Sequence, residues 1–338
     1  MNNYFIGIDF AKAKFDAVIL QRDNLNEEGH HGTFENSKTG YKRFLGWVRT
    51  FATKHKDEVL FCGEHTGVYS KLISDLLAKD DYCIWLESPL QIKRSLGIKR
   101  GKSDKQDAHD IAEFAARHED KVRVHKAPSK EMEALGLYFS EYKSWVEAKC
   151  KLQCCIKAHR ISGAENPFFK REIKTDQHEL HRIQERIKAI KRSIEELIKQ
   201  CPEIKRTYQI LTSMKGIGII NAVALILATN NFARFDHDAR RLCSYYGVAP
   251  FGHTSGTSIN GKPQVSHFAD SYLKSLISEA ALCAMHHCPA IIEYAERLKQ
   301  KGKHPSIIMN NCKNKMLHIL VAMVKHNTEY GLQTLFAA

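Results

Sequence analysis

No run of this sequence is long and apolar enough to cross a bilayer. The longest, IGIINAVALILA at 217–228, falls well short of the roughly 20 residues that a spanning helix requires. The opening MNNYFIGIDF lacks both the basic region and the cleavage site of a signal peptide. A disulfide framework is missing as well. The 10 cysteines are scattered, as at Cys62, Cys83, Cys243 and Cys312, or adjacent, as at Cys154 and Cys155, with no C-x-x-C pair. Internal repeats and low-complexity tracts are also wanting. These absences argue against a membrane-spanning chain and a disulfide-stapled secreted domain, and lead us to expect a cytosolic protein with reduced, mostly buried thiols.

Acidic charge is in short supply too. Asp and Glu number 38 against 51 Lys and Arg, a formal charge of +13. Such a field favours a polyanion, with nucleic acid ahead of an anionic membrane surface. With 338 residues, 43% of them hydrophobic, the chain can fill more than one core, so at least two domains are expected.

In the first part of the chain β-rich runs alternate with turns. YFIGIDF (4–10) and FDAVIL (15–20) are spaced as a hairpin, and GTFEN offers a third strand. EVLFCGEHTG (58–67) reads as a buried strand entering a glycine turn, YSKLISDLLAKD has helical period, and YCIWLES is another strand. Three antiparallel strands followed by β-α-β and a closing helix give an α/β layout, in the order of an RNase H-like fold. From 127 to 205 the strand signal vanishes, and Leu180, Ile183, Ile187, Ile190, Ile194 and Leu197 recur at alternating steps of three and four, continuing to Cys201. That is a heptad seam of about three repeats, either a dimerisation coil or a long amphipathic helix packed within its own chain. Beyond Pro202 the pattern is mostly helical. LTSMKGIGIINAVALILA reads as a helix-hairpin-helix-like element, with a tight Gly216-Ile217-Gly218 turn and free N-terminal amides that suit a phosphate. RFDHDARRLCSYYGVAPFGHTSGTSINGKP then breaks helix before SYLKSLISEAALCAM resumes it.

The few acids are informative by position. In GKSDKQDAHDIAEFA (101–115), Asp104, Asp107 and Asp110 recur every third residue of a helix, where like charges repel unless a cation or solvent lies between them. Asp9 falls on the first strand and Glu64 just after a central one. In an RNase H-like topology these two meet Asp104 and Asp107 at one end of the sheet. Four carboxylates there can hold two magnesium ions about 3.5–4 Å apart for phosphodiester transfer, with manganese as a substitute. Lys93, Arg94, Lys99, Arg100, Lys102 and Lys105 flank the acids and read as a cradle for the polyanion. Asp16, Asp57, Asp75 and Asp110 lack such placement and read as surface or capping groups. An actin-like kinase also opens on a GID strand, but it needs small and hydroxyl residues after the aspartate, and Phe10, Ala11 and Lys12 follow here. Further on, CAMHHC at 283–288 offers Cys283, His286, His287 and Cys288 as zinc-capable ligands, although a helix ending before Pro289 gives the same letters.

IGIDFAKAKFDAVI, EHTGVYS, KRGKSDKQDAHDIAEFA, SMKGIGIINAVALI and YYGVAPFGHTSG resemble, in order, the motifs of the DEDD-type insertion-sequence transposases, the IS-110 and IS-1111 group that includes the pilin-gene invertases. The resemblance covers nearly the whole chain. It implies a RuvC-like catalytic domain at 1–126, a helical coiled-coil dimerisation segment at 127–205 and a C-terminal transposase domain at 206–338. It also implies a metal-binding catalytic tetrad of Asp9, Glu64, Asp104 and Asp107, and a serine nucleophile, Ser255, that attacks a DNA phosphate and forms a covalent phosphoserine link. By the same resemblance the partners are donor and target double-stranded DNA, a structured non-coding bridge or seek RNA, and a second copy through the coil, with a tetramer on DNA. From letters alone, T-S-G-T-S is also an ordinary turn. Lys215, Gly216, Gly218, Lys262 and Lys274 are candidate phosphate contacts, and His253 neighbours the serine. The chain departs from the family pattern at Lys215, where many relatives carry proline, and at His267 and Asp270, where a basic residue and Gly-Asn are common. Three functions stay open on sequence: an RNA-guided DNA recombinase, a structure-selective nuclease that resolves four-way junctions without Ser255, and a non-catalytic nucleic-acid scaffold.

Overall fold

A computed structural model describes residues 2–25, 27–95, 97, 103–163, 165–255, 259–266 and 268–331, with the backbone alone at 253–255, 259, 260, 262 and 263. The β-rich runs of the first part become one five-stranded sheet. Its strands are β1 (Tyr4–Phe10), β2 (Lys14–Gln21), β3 (His30–Glu35), β4 (Val59–Glu64) and β5 (Cys83–Glu87), in the order β3-β2-β1-β4-β5. β1 to β3 run antiparallel as a meander, and β4 and β5 run parallel to β1. Among the described residues the helices α1 (Lys38–Phe51), α2 (Val68–Lys79), the short α3 (Pro89–Ser95) and α4 (Asp104–Arg117) accompany them.

Side chains alternate across the strands, and each face has its own core. Ile6, Ile8, Phe10, Phe15, Ile19 and Phe61 pack with Phe44 and Val48 of α1 and Ile73 and Leu77 of α2. On the other face Phe5, Leu60, Cys62 and Trp85 meet Ile111 and Phe114 of α4, while Val18 and Leu20 meet Ala108 and Ala112. The α4 contact is close because its partners are small. A Cβ on Gly7 would lie 2.1 Å from the Ala108 carbonyl oxygen and 2.3 Å from the Ala112 nitrogen. Gly7, Ala108 and Ala112 thereby fix where the first turn of α4 sits over the sheet.

α1 is an element the sequence reading left out. Its letters, KTGYKRFLGWVRTF, carry two glycines and four aromatic residues, a strand-like composition. Its buried set, Tyr41, Phe44, Leu45 and Val48, has helical spacing all the same, and Ser37 caps it by accepting a hydrogen bond from the Gly40 amide at 3.0 Å.

Contacts divide the chain into two units, Met1–Ala127 and Pro128–Ala338. The second begins with two helices of 34 residues each, α5 (Lys130–Gly163) and α6 (Pro167–Gln200). They form an antiparallel hairpin: His159 meets Phe169 and Asp176 near the turn, and Glu141 and Tyr142 meet Arg186 and Lys191 further along. The heptad seam is closed within the chain. Ile183, Ile187, Ile190, Ile194 and Ile198 are buried, whereas Leu180 and Leu197 are only half-buried. The stripe therefore drifts from Leu197 to Ile198, as a straight helix of 3.6 residues per turn requires. Ile190, Ile194 and Ile198 share one core with the C-terminal helices, so segment 127–205 and segment 206–338 are packed together.

Those helices are α7 (Pro202–Ser213), α8 (Ile219–Thr229), α9 (Ala239–Tyr245), α10 (Ser271–His287), α11 (Pro289–Gln300) and α12 (Pro305–Lys325). The α7–α8 turn needs glycine at Gly216, whose φ is +101° and whose Cβ would lie 2.5 Å from the Ala280 carbonyl of α10. Where the letters gave only helix breakers, a hairpin forms from β6 (Pro250–Ser255) and β7 (Ile259–Val265), with a register shift between Phe251 and His253. Among the described residues no single helix is long and apolar enough to cross a membrane.

Candidate active site

Strand register places the acids. β1 and β2 pair Asp9 directly with Asp16, and β2 and β3 pair Asp16 with Thr33. β1 and β4 pair Ile8 with Gly63, which brings Asp9 and Glu64 level at the next step, and β4 and β5 pair Glu64 with Glu87. A row of four carboxylates, Asp16, Asp9, Glu64 and Glu87, thus crosses one end of the sheet. All lie on the α4 face, because Gly7 and Phe5, Cys62 and Leu60, and Val18 and Leu20 lie on that face two and four residues away. Asp104 and Asp107 enter from above in the first turn of α4, which Ser103 caps by accepting from the Gln106 amide at 3.2 Å. A helix N-terminus favours carboxylates in its first turn, so the fold supports both acids locally.

Acids this dense need cations or donors. Asp16 is 4% exposed; it accepts from Thr33 Oγ1 at 2.6 Å and Lys14 Nζ at 3.1 Å, and meets His31 Nε2 at 2.9 Å. Burial pushes the Asp16 carboxyl up, but the bonds from Thr33, Lys14 and His31 outweigh it and hold the group below the ordinary carboxylate value. Lys14 also donates to Asp104 Oδ2 at 2.9 Å, and its hydrogen bonds to Asp104 and Asp16 raise the ammonium above its ordinary value. Asp16 is therefore no surface group. Asp75, also read as one, is buried between Lys71 and His125, whose Nε2 lies 2.9 Å from it. Asp57 is exposed, as expected. Asp110 is half-buried and accepts from Gln106 at 2.7 Å.

Asp9, Glu64, Asp104 and Asp107 offer only carboxylate oxygens, the ligand type of a hard divalent cation such as magnesium. Asp9, Glu64, Asp104 and Asp107 could hold one. Among the described residues the group of three whose ligand atoms already lie within 4.8 Å of one another is His109, Asp110 and Glu113, one turn further along α4. The tetrad is not drawn that tight, and Asp104 is turned to Lys14. The zinc-capable letters at 283–288 do not assemble. Cys288 is buried with its thiol 2.9 Å from the Tyr330 hydroxyl, Cys283 is exposed, and His286 and His287 occupy the last turn of α10.

The expected cations are placed unevenly. Lys93 and Arg94 end α3, and Lys105 pairs with Glu28 at 2.7 Å. Lys99, Arg100 and Lys102 lie outside the described residues, as does His267. In the second unit Lys215 is exposed beside the Gly216 turn, and Gly218 caps α8. Lys274 is half-buried on α10, and burial together with its charge pushes the nearby Lys313 ammonium down. Asp270, one of the departures from the family pattern, caps α10 by accepting from the amides of Tyr272 and Leu273. The backbone of Ser255 ends β6 opposite Ile259, that of His253 pairs with Gly261, and Lys262 lies on β7; the side chains of these three lie outside the description.

The residues missed on sequence are Lys14, Asp16, His31, Thr33 and Glu87. The signal was available. Once YFIGIDF and FDAVIL pair as a tight hairpin, register alone sets Asp16 against Asp9.

The structure thus sets a row of acids at one end of a sheet, with two more on the helix above it. A DEDD transposase model matches residues 6–159, and the model of the transposase IS116/IS110/IS902 family matches residues 208–296. The chain belongs to this transposase family. It is 27% identical to a pilin gene-inverting protein of Moraxella bovis and 26% to one of Moraxella lacunata, each over 335 residues that cover 98% of both chains. It is also 29% identical over 140 residues to an uncharacterised 43.6 kDa protein of insertion element IS110 in Streptomyces coelicolor, covering 41% of this chain and 34% of that one.

Proposed function

We propose that the protein is a metal-dependent DNA recombinase that moves or inverts its own element. The observation that carries this is the level row of Asp9 and Glu64 under Asp104 and Asp107. The strand order β3-β2-β1-β4-β5, with a meander followed by two parallel strands, supports an RNase H-like, RuvC-like domain. The end-to-end match to two gene-inverting proteins supports DNA as the substrate.

In this reading Asp9, Glu64, Asp104 and Asp107 bind two magnesium ions, which when bound activate the attacking oxygen and stabilise the leaving one. Ser255 is the nucleophile: its Oγ forms an ester to a DNA phosphate while the bridging oxygen of the cut strand leaves. The phosphodiester energy is kept in that ester, so exchanged strands rejoin without ATP. Lys93, Arg94, Lys99, Arg100, Lys102 and Lys105 hold backbone phosphates near the acids, and Lys215, Lys262 and Lys274 hold others, with the Gly216–Gly218 turn offering amides. An element-encoded non-coding RNA guides the choice of DNA, and the working form is a homodimer that pairs into a tetramer. The buried seam of α6 leaves the outer faces of the hairpin for that contact.

A second reading, a junction-resolving nuclease, is favoured by one observation: all four acids belong to the first unit. One experiment separates the two. Purified full-length protein is incubated with magnesium, labelled DNA spanning the element's junction and the transcript of its flanking region, then denatured. Label held on wild type but lost in Ser255→Ala and Asp104→Ala supports the recombinase. Cutting without attachment, retained in Ser255→Ala, refutes the serine chemistry.

A further inference from the structure

Lys14 stands among the acids, and its two partners differ in kind. Lys14 Nζ lies 3.1 Å from Asp16 Oδ2 and 2.9 Å from Asp104 Oδ2. Asp16 is buried and fixed by Thr33 and His31 as well, so it stays in place whatever the ammonium does. The Asp104 side chain is 56% exposed at the first turn of α4, and the Lys14 side chain is 49% exposed. Their pair is therefore a solvent-washed ion pair of the kind that is weak and easily exchanged.

Resting on the tetrad as the ion site, we propose that Lys14 is a tethered counter-cation that competes with the divalent ion for Asp104. With no ion bound, its ammonium occupies Asp104 and offsets the repulsion among Asp104, Asp16 and Asp9. When the ion arrives, Lys14 gives up Asp104 and is retained by Asp16 alone. Three features of the geometry point this way. Asp16 sits opposite Asp9 on the same face, close enough to keep the ammonium beside the site after Asp104 turns. A lysine ammonium is a compact point charge on a flexible stem, suited to exchange between two carboxylates without backbone movement. Lys14 begins β2 and Asp104 begins α4, so their bond joins two different elements and can open without disturbing either. The consequence is a site whose ion affinity is set below what its four carboxylates alone would give. Lys14 is a positioning residue here, not a catalytic one.

Binding of Mn2+ to the full-length protein, followed by calorimetry and by the electron paramagnetic resonance of the free ion, tests this without any DNA reaction. Removing one positive charge a few ångströms from a divalent ion tightens binding on the order of tenfold, and Lys14→Gln and Lys14→Met are both expected to show it. Lys14→Arg keeps the charge and is expected to stay near wild type. A lysine needed only to orient Asp104 gives the opposite sign, so weaker or unchanged binding in Lys14→Gln and Lys14→Met, with melting temperatures intact, overturns the proposal. Asp104→Asn keeps the two failures apart. If it weakens Mn2+ binding while the Lys14 variants do not tighten it, the counter-cation fails and the tetrad stands. If wild type and Asp104→Asn take up Mn2+ alike, the tetrad fails as the ion site and the counter-cation falls with it.

Discussion

Gly7→Ala tests the contact on which the acidic site depends. The added Cβ would lie 2.1 Å from the Ala108 carbonyl oxygen and 2.3 Å from the Ala112 nitrogen, both backbone atoms of α4 that no rotamer can move. Ordinary contact begins near 3.4 Å, so the helix must retreat by about 1.3 Å. Retreat loosens Ala108 and Ala112 from Val18 and Leu20, and Ile111 and Phe114 from Phe5 and Trp85. Overpacking of this kind costs roughly 1–3 kcal/mol, and a rigid backbone neighbour puts the cost at the upper end. With a urea slope of about 1–3 kcal/mol per molar, the midpoint of the first unit falls by roughly 1 M or more. Trp85 reports it, since it is fully buried with its ring centroid 5.0 Å from that of Phe114 on α4. The measurement uses a Trp145→Phe background to silence the second unit. Gly46→Ala is the control, because nothing lies within 4 Å of a Cβ there, on α1. Helix propensity makes that change stabilising by up to about 1 kcal/mol. If Gly7→Ala leaves the midpoint unmoved, or if the two variants shift it alike, α4 does not rest on β1 as described and the placement of Asp104 and Asp107 loses its basis.

Three further outcomes follow from the same structure. The Asp16 carboxyl is held below its unfolded value, so it adds stability that is present above the ordinary 3.8 and lost as pH falls through the lower folded value. Asp16→Asn should flatten the acid limb of a stability–pH curve, and an unchanged limb refutes its buried bonds to Thr33 and His31. Ile194→Ala, at 0% exposure in the shared core, should cost about 2–5 kcal/mol in the melting of the second unit, whereas Ile161→Ser, at 77% exposure, should cost under about 0.5 kcal/mol; equal effects would contradict the closed seam. Lys274→Ala should lower the slope of log K against log salt for duplex DNA by about 0.9 if the lysine neutralises one phosphate, and an unchanged slope removes it from the interface.

The sheet was legible because its strands are short, β-branched and bounded by turns, so YFIGIDF, FDAVIL, EVLFCGE and YCIWLES each carried their own signal. The same locality explains what was missed. α1 hides its helical spacing under glycines and aromatic rings, and only burial of Tyr41, Phe44, Leu45 and Val48 against the sheet decides the matter. The β6–β7 hairpin has no alternating apolar pattern, since PFGHTS and INGKPQV are polar and carry two prolines. Order along the chain was enough to bring Asp9, Glu64, Asp104 and Asp107 forward as candidates. Asp16 could not be sorted from the surface acids by letter type, because its role is set by pairing across the hairpin.

Small residues and like charges make one device here. Gly7, Ala108 and Ala112 let a helix approach the sheet to backbone distance, and that approach brings Asp104 and Asp107 over the ends of β1 and β4. Strand register then lines up Asp16, Asp9, Glu64 and Glu87 beneath them. Such a row is unfavourable by itself, since like charges on facing positions destabilise a sheet. A fold selected for stability alone would replace these acids with neutral partners. This one retains them and sets compensating groups around them: a capped helix N-terminus above, Thr33 and His31 at the flank, and an ammonium able to leave. In the proposed function a divalent cation and a phosphate backbone would offset the remaining repulsion, so that the site is complete only with both bound.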